Sequence, residues 1–211
     1  SGKSDYLYND ALNKLKLNSG ANFLYIVPEQ MTYSTEFDMI NKIGENGLLD
    51  MQIISFKKLE YMISDELGGL KLQTINDYGK IMLLKKICEE SLDELTVYKK
   101  SLYRDGFLRE FNSFMKELKK NEIDVSKLEG INLDSINSEL LKRKLADIIK
   151  IYKKMELATE NKFFDDEDKT KFFIGKIDKS KIIKNSYIYI DNFESLSIQR
   201  LNVIRKLIEN S

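Results

Sequence analysis

The chain has 211 residues, 42% of them apolar, enough for one large domain or two small ones with a substantial core. Thirty-four basic residues balance thirty-four acidic ones, so the totals carry no net field toward nucleic acid, although a neutral sum can hold a local basic groove. Histidine is absent and Cys88 is the one cysteine, which excludes an intrachain disulfide, a His/Cys zinc or iron–sulfur site built from this chain alone, and histidine acid–base catalysis.

The opening residues, Ser1-Gly2-Lys3-Ser4, match the end of a phosphate-binding loop, G-x-x-x-x-G-K-[ST]. In such a loop the backbone N–H groups and the lysine hold a nucleotide's phosphates while the final hydroxyl reaches Mg²⁺. The loop's first glycine and the strand before it are missing and there is no starting methionine, so the chain is expected to be a fragment of something longer. An exposed Gly-Lys-Ser at a frayed terminus is the bland alternative. Leu7, Ala11, Leu12 and Leu15 recur at helical spacing, which puts Lys3 and Ser4 at a helix N-terminus, where unpaired N–H groups and the dipole favour anions. Phe23-Leu24-Tyr25-Ile26-Val27 then reads as a buried strand bounded by Pro28.

From about Ser34 a helix is expected to carry Phe37, Ile40 and Ile43 inward and to end at Gly44 and Gly47. Met51 to Phe56 reads as a second strand, followed by one or two helical turns from Lys57 to Ile63. Helix, strand, helix, strand, helix is the pattern of a parallel sheet built from βαβ units. Gly68-Gly69 breaks it, and no strand is expected again until Ser186. Between them Asn76 reads as the cap of a helix whose Ile81, Leu84 and Ile87 share a face, with Cys88 a buried small hydrophobe. Phe107, Phe111, Phe114, Met115 and Leu118 form a second stripe; Leu141, Leu145, Ile148, Ile149, Tyr152 and Met155 form a third. Stripes of this kind usually come from helix packing on helix rather than from a cofactor face.

Asp165-Asp166-Glu167-Asp168 invites a metal, but neighbouring positions on a helix do not share a face, so a solvated N-cap at Asp165 or Asp166 is expected instead. Lys119-Lys120 and Lys142-Arg143-Lys144 are candidate phosphate-backbone patches, against the commoner outcome of a charge run facing water. Ser186 to Ile190 is a β-branched and aromatic run ending on Asp191, and Leu201, Ile204 and Ile208 mark the helix after it. An aspartate at the tip of a buried strand is where a phosphate-loop ATPase places the carboxylate that holds Mg²⁺. No apolar run approaches the roughly 20 residues that span a bilayer and no leader opens the chain, which points to a cytoplasmic location with no membrane partner. The expected fold is α/β, a P-loop NTPase (RecA-like) parallel sheet formed by residues 1–68 and 185–211, with a large all-helical insertion at 69–184.

Ser1-Gly2-Lys3-Ser4, Val27-Pro28-Glu29-Gln30, Ile54-Ser55-Phe56-Lys57-Lys58-Leu59 and Tyr189-Ile190-Asp191-Asn192-Phe193, in this order and separation, resemble the N-terminal region of the AddB family of ATP-dependent helicase/deoxyribonuclease subunits. The resemblance covers essentially the whole chain. It implies a relative of superfamily 1 helicases, whose RecA-like core is interrupted by a helical subdomain, working with an AddA-type helicase/nuclease subunit in a heterodimer that resects double-strand breaks in bacterial DNA. The implied cofactors are ATP and Mg²⁺, with an iron–sulfur cluster only in a C-terminal nuclease region beyond Ser211, so this stretch is expected to have no nuclease activity. By the same resemblance Gly2, Lys3 and Ser4 belong to the nucleotide loop, Ser4 and Asp191 face the metal, and Ser55 and Phe56 lie near the DNA path.

One departure concerns catalysis. Active helicases of that superfamily have Asp-Glu at the strand end, the Glu polarising the attacking water; here the pair is Asp191-Asn192, and an amide cannot accept a proton. Glu194 would substitute only if its turn aimed it inward. Nucleotide binding with slow or no hydrolysis is therefore expected. Two other functions compete: a small P-loop kinase or phosphotransferase with a helical lid, and a non-enzymatic helical docking module. The insertion is large for a lid, and a kinase needs arginines to clamp its acceptor, of which the chain has only Arg104, Arg109, Arg143, Arg200 and Arg205.

Overall fold

The computed structural model describes residues 2–17, 21–43, 51–68, 73–104, 106–184 and 186–211. Among them the strands are β1 (Asn22–Ile26), β2 (Met51–Ile54), β3 (Gln73–Thr74), β4 (Phe163–Phe164) and β5 (Ser186–Ile190). The α-helices are α1 (Gly2–Leu17), α2 (Thr32–Ile43), α3 (Phe56–Leu67), α4 (Asp77–Glu90), α5 (Phe107–Lys120), α6 (Val125–Glu129), α7 (Glu139–Thr159), α8 (Asp166–Ile174) and α9 (Ile198–Asn210). The architecture is α/β, mostly helical with a small parallel sheet. The chain divides into two compact units, one of Ser1–Gly69 with Thr170–Ser211 and the other of Leu70–Lys169.

In the first unit β1, β2 and β5 pair in parallel in the order β2-β1-β5, with Phe23 opposite both Met51 and Tyr187. Side chains alternate between the two faces of the sheet. Phe23, Tyr25, Met51 and Tyr189 join Tyr8 and Ala11 of α1 and Met39 of α2. Leu24, Ile26 and Ile54 join Leu59 and Ile63 of α3 and Val203 and Leu207 of α9. With both faces covered, the strands are continuous apolar runs, the pattern by which the sequence predicts them.

Two details differ from expectation in this unit. Helix α2 turns Thr35 and Met39 inward and leaves Phe37 and Ile40 exposed, because one buried row at i, i+4 satisfies the sheet, while Tyr33, Phe37 and Ile40 follow another row on the exposed side. The Ile43 side chain, Gly44 and Gly47 lie outside the described residues. Residues 170–184, expected in the insertion, side with the sheet: Phe173, Ile177 and Ile183 are buried with Leu24 and Ile26. Glu66 of α3 holds this segment by accepting from Ser180 Oγ and from the Lys181 N–H at 2.7 Å.

The second unit packs α4, α5, α6 and α7 around Leu84, Phe111, Met115, Leu128, Ile151 and Tyr152. The Asn76 side chain caps α4 by accepting from the Gly79 N–H at 2.9 Å. Of the expected stripes, Phe114 and Leu141 remain exposed. Cys88 is buried, and burial pushes its thiol up to about 11. Strands β3 and β4, which the sequence does not predict, pair in parallel with Gln73 opposite Phe163 and Thr74 opposite Phe164; two residues are too few to carry a period-two signal. No helix among the described residues is long and apolar enough to cross a membrane.

Charge organises this unit more than a neutral total suggests. Asp147, fully buried, accepts from the N–H groups of Thr96 (3.0 Å), Val97 (2.8 Å) and Tyr98 (3.1 Å), anchoring the short helix Tyr98–Tyr103. The expected solvated acids are instead enclosed. Asp165 is 4% exposed and caps α8, accepting from the Asp168 N–H at 2.9 Å, while Lys119 meets its Oδ2 at 2.9 Å and Lys80 at 3.4 Å. Lys80 also reaches Glu167 at 3.5 Å, and Lys119 reaches Asp168 at 3.1 Å. The two lysines, distant in sequence, are what permit acids to be buried at a helix start.

Burial alone would raise the Asp165 carboxyl, but Lys119 and Lys80 outweigh it and hold it at about 2. Glu167 and Asp168 move the other way, raised chiefly by burial. A depressed acid stabilises the fold above its unfolded value of 3.8 and loses that contribution as pH falls through about 2. Asp165→Asn is therefore expected to be less stable than the parent at pH 7, with the gap in urea denaturation closing from pH 4 toward pH 2. Asp147→Ala, which strands three buried N–H groups, is expected to cost about 3 kcal/mol at neutral pH in the same measurement.

Candidate functional site

Parallel strands end on a common edge, and in the first unit that edge gathers the residues after each strand. From β1 the chain passes to β2 on one side, and β5 then arrives on the other, so the strand order reverses at the β1/β5 junction. Open α/β sheets hold ligands in the crevice at such a point. Tyr25, next to last in β1, donates its hydroxyl to Asp191 Oδ2 at 3.0 Å. The Asp191 N–H donates to the Ile26 carbonyl at 3.0 Å, extending the β1/β5 pairing one residue past the strand. Asp191 Oδ1 accepts from the Asn192 N–H at 2.9 Å, and Ser4 Oγ lies 3.5 Å from Asn192 Oδ1.

Helix α1 begins at Gly2, so Gly2, Lys3 and Ser4 form its first turn, with Lys3 exposed and Ser4 half-buried. The structure thus brings the first turn of α1 to the end of β5, across 188 positions of sequence. The oxygen donors here are a hydroxyl, an amide carbonyl and a carboxylate with a lone pair left on each oxygen, a set that fits a hard cation such as Mg²⁺. Asp191 and Ser4 would hold that ion, which would supply charge neutralisation for phosphate oxygens.

Ser55 and Phe56 stand at the same edge, after β2, but in supporting positions. Ser55 caps α3 by accepting from the Lys58 N–H at 3.2 Å. The Phe56 ring is 4% exposed, with Phe193 at 5.2 Å and the Arg200 guanidinium at 5.1 Å. A ring enclosed in this way has no face on which a nucleic-acid base could stack, whereas Lys57 and Lys58 beside it are exposed. Arg200 also pairs with Glu60 of α3, which accepts from Thr170 Oγ1 at 3.1 Å.

Two features of the site escape sequence reasoning. Tyr25 reads as one more apolar residue of a buried strand, yet its hydroxyl, raised above its ordinary range by burial and then by Asp191, stays protonated and orients the carboxylate. Asn192 has φ of 65°, a left-handed conformation that asparagine tolerates and most side chains do not. An amide at this position is thus also what the turn favours. Glu194 is exposed.

The family described as ADDB, N-terminal, matches residues 1–211. The chain is 36% identical over 99% of its length to a Clostridium kluyveri protein named as the B subunit of an ATP-dependent helicase/deoxyribonuclease. Proteins of the same name are 34% identical over 99% of the chain in Alkaliphilus metalliredigens and 32% identical over all of it in Clostridium botulinum. The chain spans 18% of the length of each of these relatives. Matched from its first residue to its last, the chain belongs to the ADDB N-terminal family.

Proposed function

We propose that this chain is the N-terminal, helicase-like region of an AddB-type subunit and that it binds nucleotide at the β1/β5 crevice. The observation that carries this reading is the approach of Ser4, at the start of α1, to Asn192, at the end of β5. In the proposed site the first-turn N–H groups of α1 and Lys3 meet the phosphates of ATP, and Ser4 and Asp191 face Mg²⁺. Tyr25 keeps Asp191 in one orientation. Hydrolysis is slow or absent, because the residue after Asp191 is an amide and the next carboxylate, Glu194, is exposed to solvent.

The relatives' name supports the wider assignment: a helicase/nuclease that resects double-strand DNA breaks, in which this subunit pairs with an AddA-type partner in the cytoplasm. DNA contact at the β2–α3 corner then runs through the exposed Lys57 and Lys58, with Ser55 and Phe56 fixing the corner from beneath.

In a protein of the relatives' full length, Lys3→Ala is expected to abolish Mg-ATP binding measured by calorimetry; unchanged affinity would remove the phosphate role. Tyr25→Phe should leave the fold intact and weaken Mg²⁺-dependent binding several-fold while sparing metal-free binding. Asn192→Asp, which supplies a carboxylate that tolerates the left-handed turn, is a fairer test of hydrolysis than Asn192→Glu, which adds about 1 kcal/mol of strain. A rise in phosphate release is expected with Asn192→Asp, and no change would place the block elsewhere than at this side chain.

A further inference from the structure

The helical unit has an open cleft of about 410 Å³ where α4 faces the turn leading into α5. Its wall carries three cations, Lys85, Arg104 and Arg109, against one acid, Glu89, whose pairing with Lys85 is loose at 3.9 Å between exposed side chains. Among the described residues Arg104 and Arg109 have no acidic partner, and Asp105 lies outside those residues. Tyr103, on the same wall, is 73% exposed, and Leu108 and the buried Cys88 form an apolar floor. Helix α5 starts here at Gly106, whose φ of 85° makes the turn and leaves the helix without a side-chain cap. The positive end of the helix dipole is therefore added to the three cations.

Unpaired cations beside an exposed ring make a poor protein-docking surface and a good one for phosphates that carry bases. We propose that single-stranded nucleic acid runs through this cleft, with Arg104, Arg109 and Lys85 meeting its phosphates and Tyr103 stacking on a base. This deepens the DNA role proposed above but uses different residues in a different unit, so it stands or falls separately from the nucleotide site.

The test is fluorescence anisotropy of a labelled oligo-thymidylate titrated with the 211-residue chain, with far-UV circular dichroism to confirm that each variant folds. Joint replacement Arg104→Ala with Arg109→Ala is expected to lower affinity at least tenfold and to flatten the log–log salt slope by about 1.4. Tyr103→Ala should cost about tenfold and Tyr103→Phe should restore binding. Lys3→Ala, in the nucleotide site, should leave this binding unchanged. The proposal is overturned if the folded double variant binds as well as the parent, if an abasic phosphate polymer binds equally well and Tyr103→Ala has no effect, or if thymidine monophosphate displaces the oligomer at equal concentration, which would make the cleft a mononucleotide site.

Discussion

The parallel hydrogen-bonded ladder between β1 and β5 is the constraint on which the sheet unit depends. It aligns Asn22 with Ser186 and runs without a break to Ile26 with Ile190. The extra bond from Asp191 to Ile26 carries that register past the strand and into the crevice. A slip of one residue would exchange the two faces of β5, sending Tyr189 toward α3 and α9 and its isoleucines toward α1. Asp191 would then leave the Tyr25 hydroxyl. The geometry of the candidate site is thus a by-product of packing: aromatic residues on one face, where Tyr25 stacks on Tyr189 at 5.8 Å, and branched aliphatic residues on the other.

How much of this was legible depends on how far each signal reaches along the chain. Strands β1, β2 and β5 are visible because buried parallel strands are unbroken apolar runs, and the cap at Asn76 is visible because its acceptor and donor lie three residues apart. The inward face of α2 is not, since Phe37 and Ile40 are more apolar than the buried Thr35, and only the sheet above decides which row is covered. The enclosure of Asp165 is invisible for the same reason: Lys80 and Lys119, its partners, sit 85 and 46 positions away. At the candidate site Asp191 could be read from its place at a strand tip. Tyr25 could not, because a hydroxyl's role depends on which strand lies beside it.

The two units rely on different physics. The sheet unit is held by apolar layers on both faces of a short sheet. The helical unit adds enclosed ions, an arrangement that contributes little net stability over a well-packed apolar alternative but penalises the loss of any one member by several kcal/mol. Lys80, 6% exposed, has three acids within reach, so its removal would leave Asp165 and Glu167 without one of their counter-charges in a place water hardly enters. Such a network favours one arrangement of α4, α5 and the start of α8 over near alternatives. In this unit the cost of mispacking is electrostatic rather than volumetric.

The small β3–β4 ladder has a consequence for how the sheet assembles. By fastening Gln73 to Phe163 and Thr74 to Phe164, it makes the polypeptide set out for the helical unit and return from it at the same spot. Once that clasp is closed, the span that must be looped before β5 finds β1 shrinks roughly threefold, worth about 1 kcal/mol of closure entropy. An excursion of nearly half the molecule thereby becomes, for the strands on either side of it, little more than a long turn.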